Sequence, residues 1–210
     1  MNTQRAVGQL LMVVLGVVAI AGLGLAQAPA VTPYEVQLRL AMRDAWTTHA
    51  RWTSSYVLSS LAGLPDSGRV KTRLLESASD VADALRPYYP GLTVPQLAIL
   101  LKHDVLLVAS VVAAVGGGDS AAITVAYNNW SAGTDSVVQF FARTNPNWPD
   151  AKLGDPMRRY QDQTRRQIIA RARQDWMADV AASDQAHIDA QSIADLLTAG
   201  LVKQFPDKFK

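Results

Sequence analysis

From Pro33 to the C-terminus, apolar residues return every third or fourth position, and no run alternates apolar and polar residues between hairpin turns. A period near 3.6 gathers such residues on one helix face, whereas a strand needs a period of two. The periodic segments stop at Gly63-Leu64-Pro65, Arg86-Pro87, Gly116-Gly117-Gly118 and Asn145-Pro146-Asn147-Trp148-Pro149, all breaks rich in proline or glycine. Helices are therefore expected at about 32–61, 67–85, 93–115 and 119–144, then after Asp155-Pro156, and at about 175–205. Thr32-Pro33 with Glu35 reads as a helix start, and Thr93 with Gln96 resembles a capping box. The expected fold is all-α: one antiparallel helical bundle of four long helices plus shorter ones, spanning residues 31–210.

The segment before the bundle has a different character. Arg5 is the sole charge ahead of Glu35, and it is followed by an apolar run from Ala6 to Ala26 and then by Ala26-Gln27-Ala28 and Ala28-Pro29-Ala30. A positive start, an apolar stretch and a small-residue exit describe a secretory signal peptide, with cleavage favoured after Ala30. The run is also nearly long enough to cross a bilayer, so an uncleaved membrane anchor is the alternative for residues 1–30. Either reading places the bundle outside the cytoplasm, in the periplasm or the extracellular space. Without Arg5 that part is nearly neutral, because the whole chain carries 20 basic and 18 acidic residues. Such a balance is no footprint for nucleic acid.

Composition closes several chemistries. The chain has 210 residues and no cysteine, which excludes disulfides, thiolate metal sites and cysteine nucleophiles. It is too short for a typical TIM barrel. Gly116-Gly117-Gly118-Asp119 lacks the lysine and spacing of a phosphate-binding loop. No serine sits in a nucleophile-elbow motif.

Helical wheels give the candidate site. On the first helix, Leu38, Met42, Ala45, His49, Trp52 and Tyr56 form one stripe, flanked by Trp46 and Thr53. On the last helix, Met177, Val180, Asp184, His187, Gln191, Asp195, Thr198, Val202 and Phe205 form a stripe whose middle is polar. The third helix is apolar nearly all round, which implies burial, and His103-Asp104 interrupts it. Buried charges need partners or ligands. His49, Asp104, Asp184, His187 and Asp195 are therefore candidate ligands for a metal ion or small molecule inside the bundle, each as ligand or supporting partner. Asp184-x-x-His187 puts two donors on one turn, but Glu35 and Glu76 are the only glutamates, too few for a four-carboxylate di-iron centre. The alternatives are a hydrogen-bonded network that fixes helix register, or a solvated polar face. Metal binding at this set should fail as falling pH protonates the imidazoles. The five tryptophans read as core, and the arginines between Arg158 and Arg173 as a solvated face diluted by Asp155, Asp162 and Asp175.

The motifs His49-x-x-Trp52-Thr53, Gly63-Leu64-Pro65-Asp66, Arg73-Leu74-Leu75 and Ala84-Leu85-Arg86-Pro87-Tyr88-Tyr89 occur in that order. They are followed by Trp130-Ser131-Ala132-Gly133-Thr134-Asp135, Asn145-Pro146-Asn147-Trp148-Pro149, Asp184-x-x-His187 and Ala194-Asp195 leading to Gly200-Leu201-Val202-Lys203-Gln204-Phe205-Pro206. Together they resemble a bacterial family of small, often exported helical proteins of uncharacterised function. Members sometimes carry the labels glycosyltransferase or acetylglutamate kinase, which nothing here supports, since no nucleotide-binding βαβ unit is visible. The resemblance implies histidine where this chain has Asp104, Tyr160 and Asp189, while His49, Asp135, Asp184, His187 and Asp195 match. It also implies an interior ligand site, with Asp104 still able to ligate and Tyr160 able to hydrogen-bond or to ligate ferric iron.

The functional expectation is an exported helical binding protein with an interior His/Asp site, its cofactor a transition metal ion if it has one. The alternatives are a partner-interaction module of the cell envelope without metal and, more distantly, a metal-dependent enzyme, which an open coordination position would favour.

Overall fold

The computed structural model describes residues 31–91 and 93–210, so the expected signal peptide or anchor lies outside the described residues. Helix starts follow the local chemistry. Thr32 Oγ1 accepts from Glu35 N at 3.3 Å, and Pro33 opens α1 (Pro33–Leu61). The α1 helix closes at Gly63, whose φ of 64° a residue with a Cβ adopts at a cost. The second helix is α2 (Ser67–Asp83) and the third α3 (Thr93–Gly117). Asp119 Oδ1 caps α4 (Ser120–Thr144) by accepting from Ala121 N and Ala122 N, and Asp175 Oδ1 caps α6 (Trp176–Gln204) by accepting from Ala178 N. A short 3₁₀ turn, Pro206–Phe209, ends the chain.

The fifth helix, α5, runs Asp150–Ala172 and so begins before the expected start at Asp155-Pro156. Pro149 supplies the carbonyl that takes Lys152 N and Leu153 N, and this fixes the start there. Pro156 then sits inside the helix, where its φ fits and its missing N–H costs one intrahelical bond.

All six helices pack together, and no strand occurs among the described residues. Each helix packs on its sequence neighbours, and α6 closes the ring on α1. Short connections make neighbours antiparallel, and for α1 and α6 the pairs Arg43–Asp195 and Ser54–Ser183 show it directly. The odd-numbered helices α1, α3 and α5 also touch one another, so they converge inside the ring.

Two expected faces differ in the structure. The buried face of α6 is Ala182, Ala186, Ala190, Ile193, Ala194, Leu197 and Leu201, while Met177 is 84% exposed and Val180 59%. The wheel weighted the larger Met and Val, whereas alanine lets α6 come close to α1 and α5 at no cost in side-chain entropy. On α3, Leu97, Leu101, Val105 and Val111 are buried but Ile99 and Leu106 face outward, so that helix is covered on one side and not all round. It is nonetheless long and apolar enough to cross a membrane.

The α4–α5 turn plugs one end of the bundle. Asn145 Oδ1 accepts from Asn147 N at 2.8 Å, which turns buried Trp148 inward. Trp148 Nε1 donates to Leu197 O at 3.1 Å, and its ring meets Phe141 edge-on and Tyr89 at a tilt. The ring occupies the space a side chain at Gly200 would need. Gly200→Ala should therefore destabilise the protein by about 1–3 kcal/mol. Gly68→Ala, on the exposed first turn of α2 where the added Cβ meets nothing, should instead stabilise it by about 0.5–1 kcal/mol. Urea unfolding curves of the two variants check both.

Candidate functional site

Where α1, α3, α4 and α5 meet, they leave a cavity of about 20 Å³ bounded by Trp46, His49, Asp104, Trp130, Tyr160 and Gln161. That volume holds one water-sized occupant. His49 is buried on α1. Ser77 Oγ donates to Leu74 O at 2.7 Å, so toward His49 the same oxygen acts as acceptor. The His49 Nδ1···Ser77 Oγ contact of 2.9 Å therefore places the imidazole proton on Nδ1 and leaves the Nε2 lone pair free. Burial lowers the His49 pKa from 6.5 to about 4, which keeps the ring neutral.

Asp104 faces the same cavity from α3. Its Oδ1 accepts from Trp130 Nε1 at 3.1 Å and from Thr134 Oγ1 at 3.3 Å, and no cation pairs with it among the described residues. Desolvation raises its pKa from 3.8 to about 7, against the two hydrogen bonds. Tyr160 Oη donates to Thr53 Oγ1 at 3.3 Å, and burial pushes its phenol up to about 12. Trp46 Nε1 and Gln161 Nε2, on residues that line the cavity, are buried without a hydrogen-bond partner.

The other three expected ligands lie elsewhere. Asp184 and His187 are exposed on α6 and line a polar groove of about 330 Å³ with Asp44, Arg51 and Ser54 of α1. Asp195 is bound bidentately by Arg43, through Nε at 2.8 Å and Nη2 at 2.5 Å. The five residues thus occupy three separate places, and among the described residues no group of three or more His, Cys, Asp or Glu side chains is placed to hold a metal ion. The buried carboxylates of α6 are Asp179 and Asp189, each with one oxygen on an arginine, Arg171 and Arg159 respectively. Ser77 and Gln161 are site residues that the wheels did not single out, whereas Trp46 flanked the His49 stripe.

Opposite shifts at His49 and Asp104 give opposite pH dependences in the metal-free protein. The raised Asp104 pKa stabilises the fold below pH 3.8, and that contribution is lost as pH rises toward about 7. The lowered His49 pKa contributes above pH 6.5 and is lost as pH falls toward about 4. Relative to the wild type, Asp104→Asn should gain melting temperature as pH rises from 3.8 to about 7, and His49→Gln should gain as pH falls from 6.5 to about 4. Thermal melts in a pH series after chelator treatment measure both.

Compared with family models, curated protein sequences and solved structures, the chain matches none.

Proposed function

We propose that this protein is an exported binding protein whose bundle interior takes one metal ion on His49 Nε2 and the Asp104 carboxylate. The observation that carries the reading is the fixed His49 tautomer: its free lone pair lines a one-occupant cavity together with a carboxylate that has no cationic partner. A neutral imidazole backed by a hydroxyl and an uncompensated carboxylate are the donors that zinc, copper, iron or manganese accepts. The resemblance adds support. Positions 104 and 160, where it implies histidine, face the same cavity as His49. Export rests on the sequence of residues 1–30 alone.

A second reading is favoured by Trp46 Nε1 and Gln161 Nε2. Two unpartnered donors beside two acceptors also suit a single structural water, which would make the cavity a register-fixing network.

Elemental analysis of the protein, purified without chelators from the compartment it occupies, separates the two readings. The metal reading expects about one ion per chain, lost in His49→Gln and Asp104→Asn and retained in His187→Ala and Asp195→Asn. Added ion at about a hundredfold its Kd should raise the melting temperature by roughly 5–10 °C. A metal-free wild type with no such rise for zinc, copper, iron or manganese overturns the metal reading in favour of the water. In this reading protons compete first at Asp104, whose pKa desolvation raises to about 7, and at the His49 imidazole only at lower pH. Affinity should therefore weaken by about tenfold per pH unit below that value.

A further inference from the structure

Every residue that lines the interior cavity is buried except Asp104 and Gln161, which are half-buried. Solvent therefore meets the wall of that cavity at these two residues. Two hydrogen bonds tie Asp104 in place, from Trp130 Nε1 at 3.1 Å and from Thr134 Oγ1 at 3.3 Å. Gln161, in the middle of α5, has no such tie among the described residues, and its Nε2 is buried without a hydrogen-bond partner. Of the two, Gln161 is the side chain that can change rotamer without breaking a hydrogen bond.

Gln161 also borders a second space. A pocket of about 260 Å³ opens between α4 and α5, and Trp130 and Gln161 line both this pocket and the interior cavity. Trp130 is buried and its indole N–H is committed to Asp104, so it is the fixed half of the partition. Gln161 is the loose half. A buried amide nitrogen without a partner forfeits the hydrogen bonds it would make in water. Turning into the pocket restores them, which offsets the packing given up and keeps the open arrangement low in free energy. At the mouth, Asp162 and Arg165 pair with each other at 2.6 Å, so together they neither repel a passing cation nor hold one.

We propose that the α4–α5 pocket is the entrance to the interior cavity and that the side chain of Gln161 is its gate. Turned inward, Gln161 closes the cavity; turned into the pocket, it opens a path past Trp130 to His49 and Asp104. The inference rests on the reading of the cavity as a metal site for the identity of its cargo, while the path itself serves an ion or a water alike. A gate changes the barrier between outside and inside and neither end state. It therefore alters entry and exit rates by one factor and leaves affinity as it was.

Exchange of the indole N–H groups with solvent, read by NMR in the full chain after chelator treatment, tests the gate without any metal. Trp130 reports on the cavity wall, and Trp148, whose indole donates to Leu197 O at 3.1 Å, reports on the bundle away from it. Gln161→Ala should speed Trp130 exchange by about tenfold or more and leave Trp148 unchanged. Gln161→Met, of similar size but with no amide for water to draw outward, should leave Trp130 exchange equal to the wild type or slower. Three results would overturn the gate: unchanged Trp130 exchange in Gln161→Ala, equal acceleration of both indoles, or as large an acceleration in Gln161→Met. Stopped-flow tryptophan fluorescence with zinc reads the same barrier in the metal-binding protein. Gln161→Ala should raise the association and dissociation rates by one factor, about tenfold, with Kd unchanged. A changed Kd at an unchanged association rate makes Gln161 a contact of the ion and also overturns the gate. Failure of the wild type to take up zinc or any of the other three metals counts against the metal reading alone, and the indole exchange still decides the gate.

Discussion

The arrangement depends on how closely α6 approaches α1 and α5. Its buried face is built from Ala182, Ala186, Ala190 and Ala194, with larger Ile193, Leu197 and Leu201 toward the C-terminal end. Alanine gives little apolar area per residue, so this face contributes through proximity and not through bulk. Proximity closes the ring of six helices, and the closed ring brings α1, α3 and α5 into mutual contact. At the opposite extreme of size, Trp148 fills the end of the bundle over Gly200, where the absence of a Cβ admits an indole. Small residues against one large ring satisfy the packing density that interiors require.

Convergence of the odd-numbered helices has an electrostatic consequence. His49 is buried and Asp104 half-buried at the same place, and desolvation shifts each toward its neutral form. The shifts run in opposite directions because one group is a base and the other an acid. Between pH 4 and about 7 the two forms, imidazole and carboxylic acid, are therefore both neutral, and no ion pair forms between them. A buried pair that stays uncharged avoids the larger cost of unpaired charge, but it leaves a lone pair on Nε2 and a carboxyl oxygen unused. Unused capacity in a cavity of one-atom size is what separates this place from the ion pairs on the outside of the bundle, such as Arg43–Asp195 and Arg86–Asp83.

Fold class was legible because capping and breaking residues carry local signals: Thr32, Asp119 and Asp175 act where their chemistry says they should. Pro156 misled because one proline suits either a first turn or a tolerated interior, and the carbonyl of Pro149 decided between them. Site legibility was partial for a different reason. His49 lies in the apolar stripe of α1 and Asp104 interrupts the strongly apolar α3, so their inward placement followed from sequence, His49 buried and Asp104 half-buried. Asp184, His187 and Asp195 sit on a helix whose apolar residues point two ways, and the wheel could not tell an alanine face from a face of Met177 and Val180. Hydrophobicity summed by residue type favours the bulky side, whereas helix packing at close range favours the small one. The tautomer of His49 was out of reach altogether, since it hangs on Ser77, 28 positions away on α2.

Trp130 and Gln161 border two spaces at once, the interior cavity and a pocket between α4 and α5. Their inner face looks on acceptors, the Nε2 of His49 and the carboxyl of Asp104. Their outer face borders the α4–α5 pocket, where the Asp162 carboxylate and the Arg165 guanidinium pair with each other at 2.6 Å. Trp130 has a single donor and spends it inward on Asp104 at 3.1 Å, which leaves its ring carbon outward. Gln161 carries both kinds of group on one amide, and its nitrogen is the atom without a partner. That nitrogen carries two N–H donors, so a single acceptor on either side would satisfy it only in part.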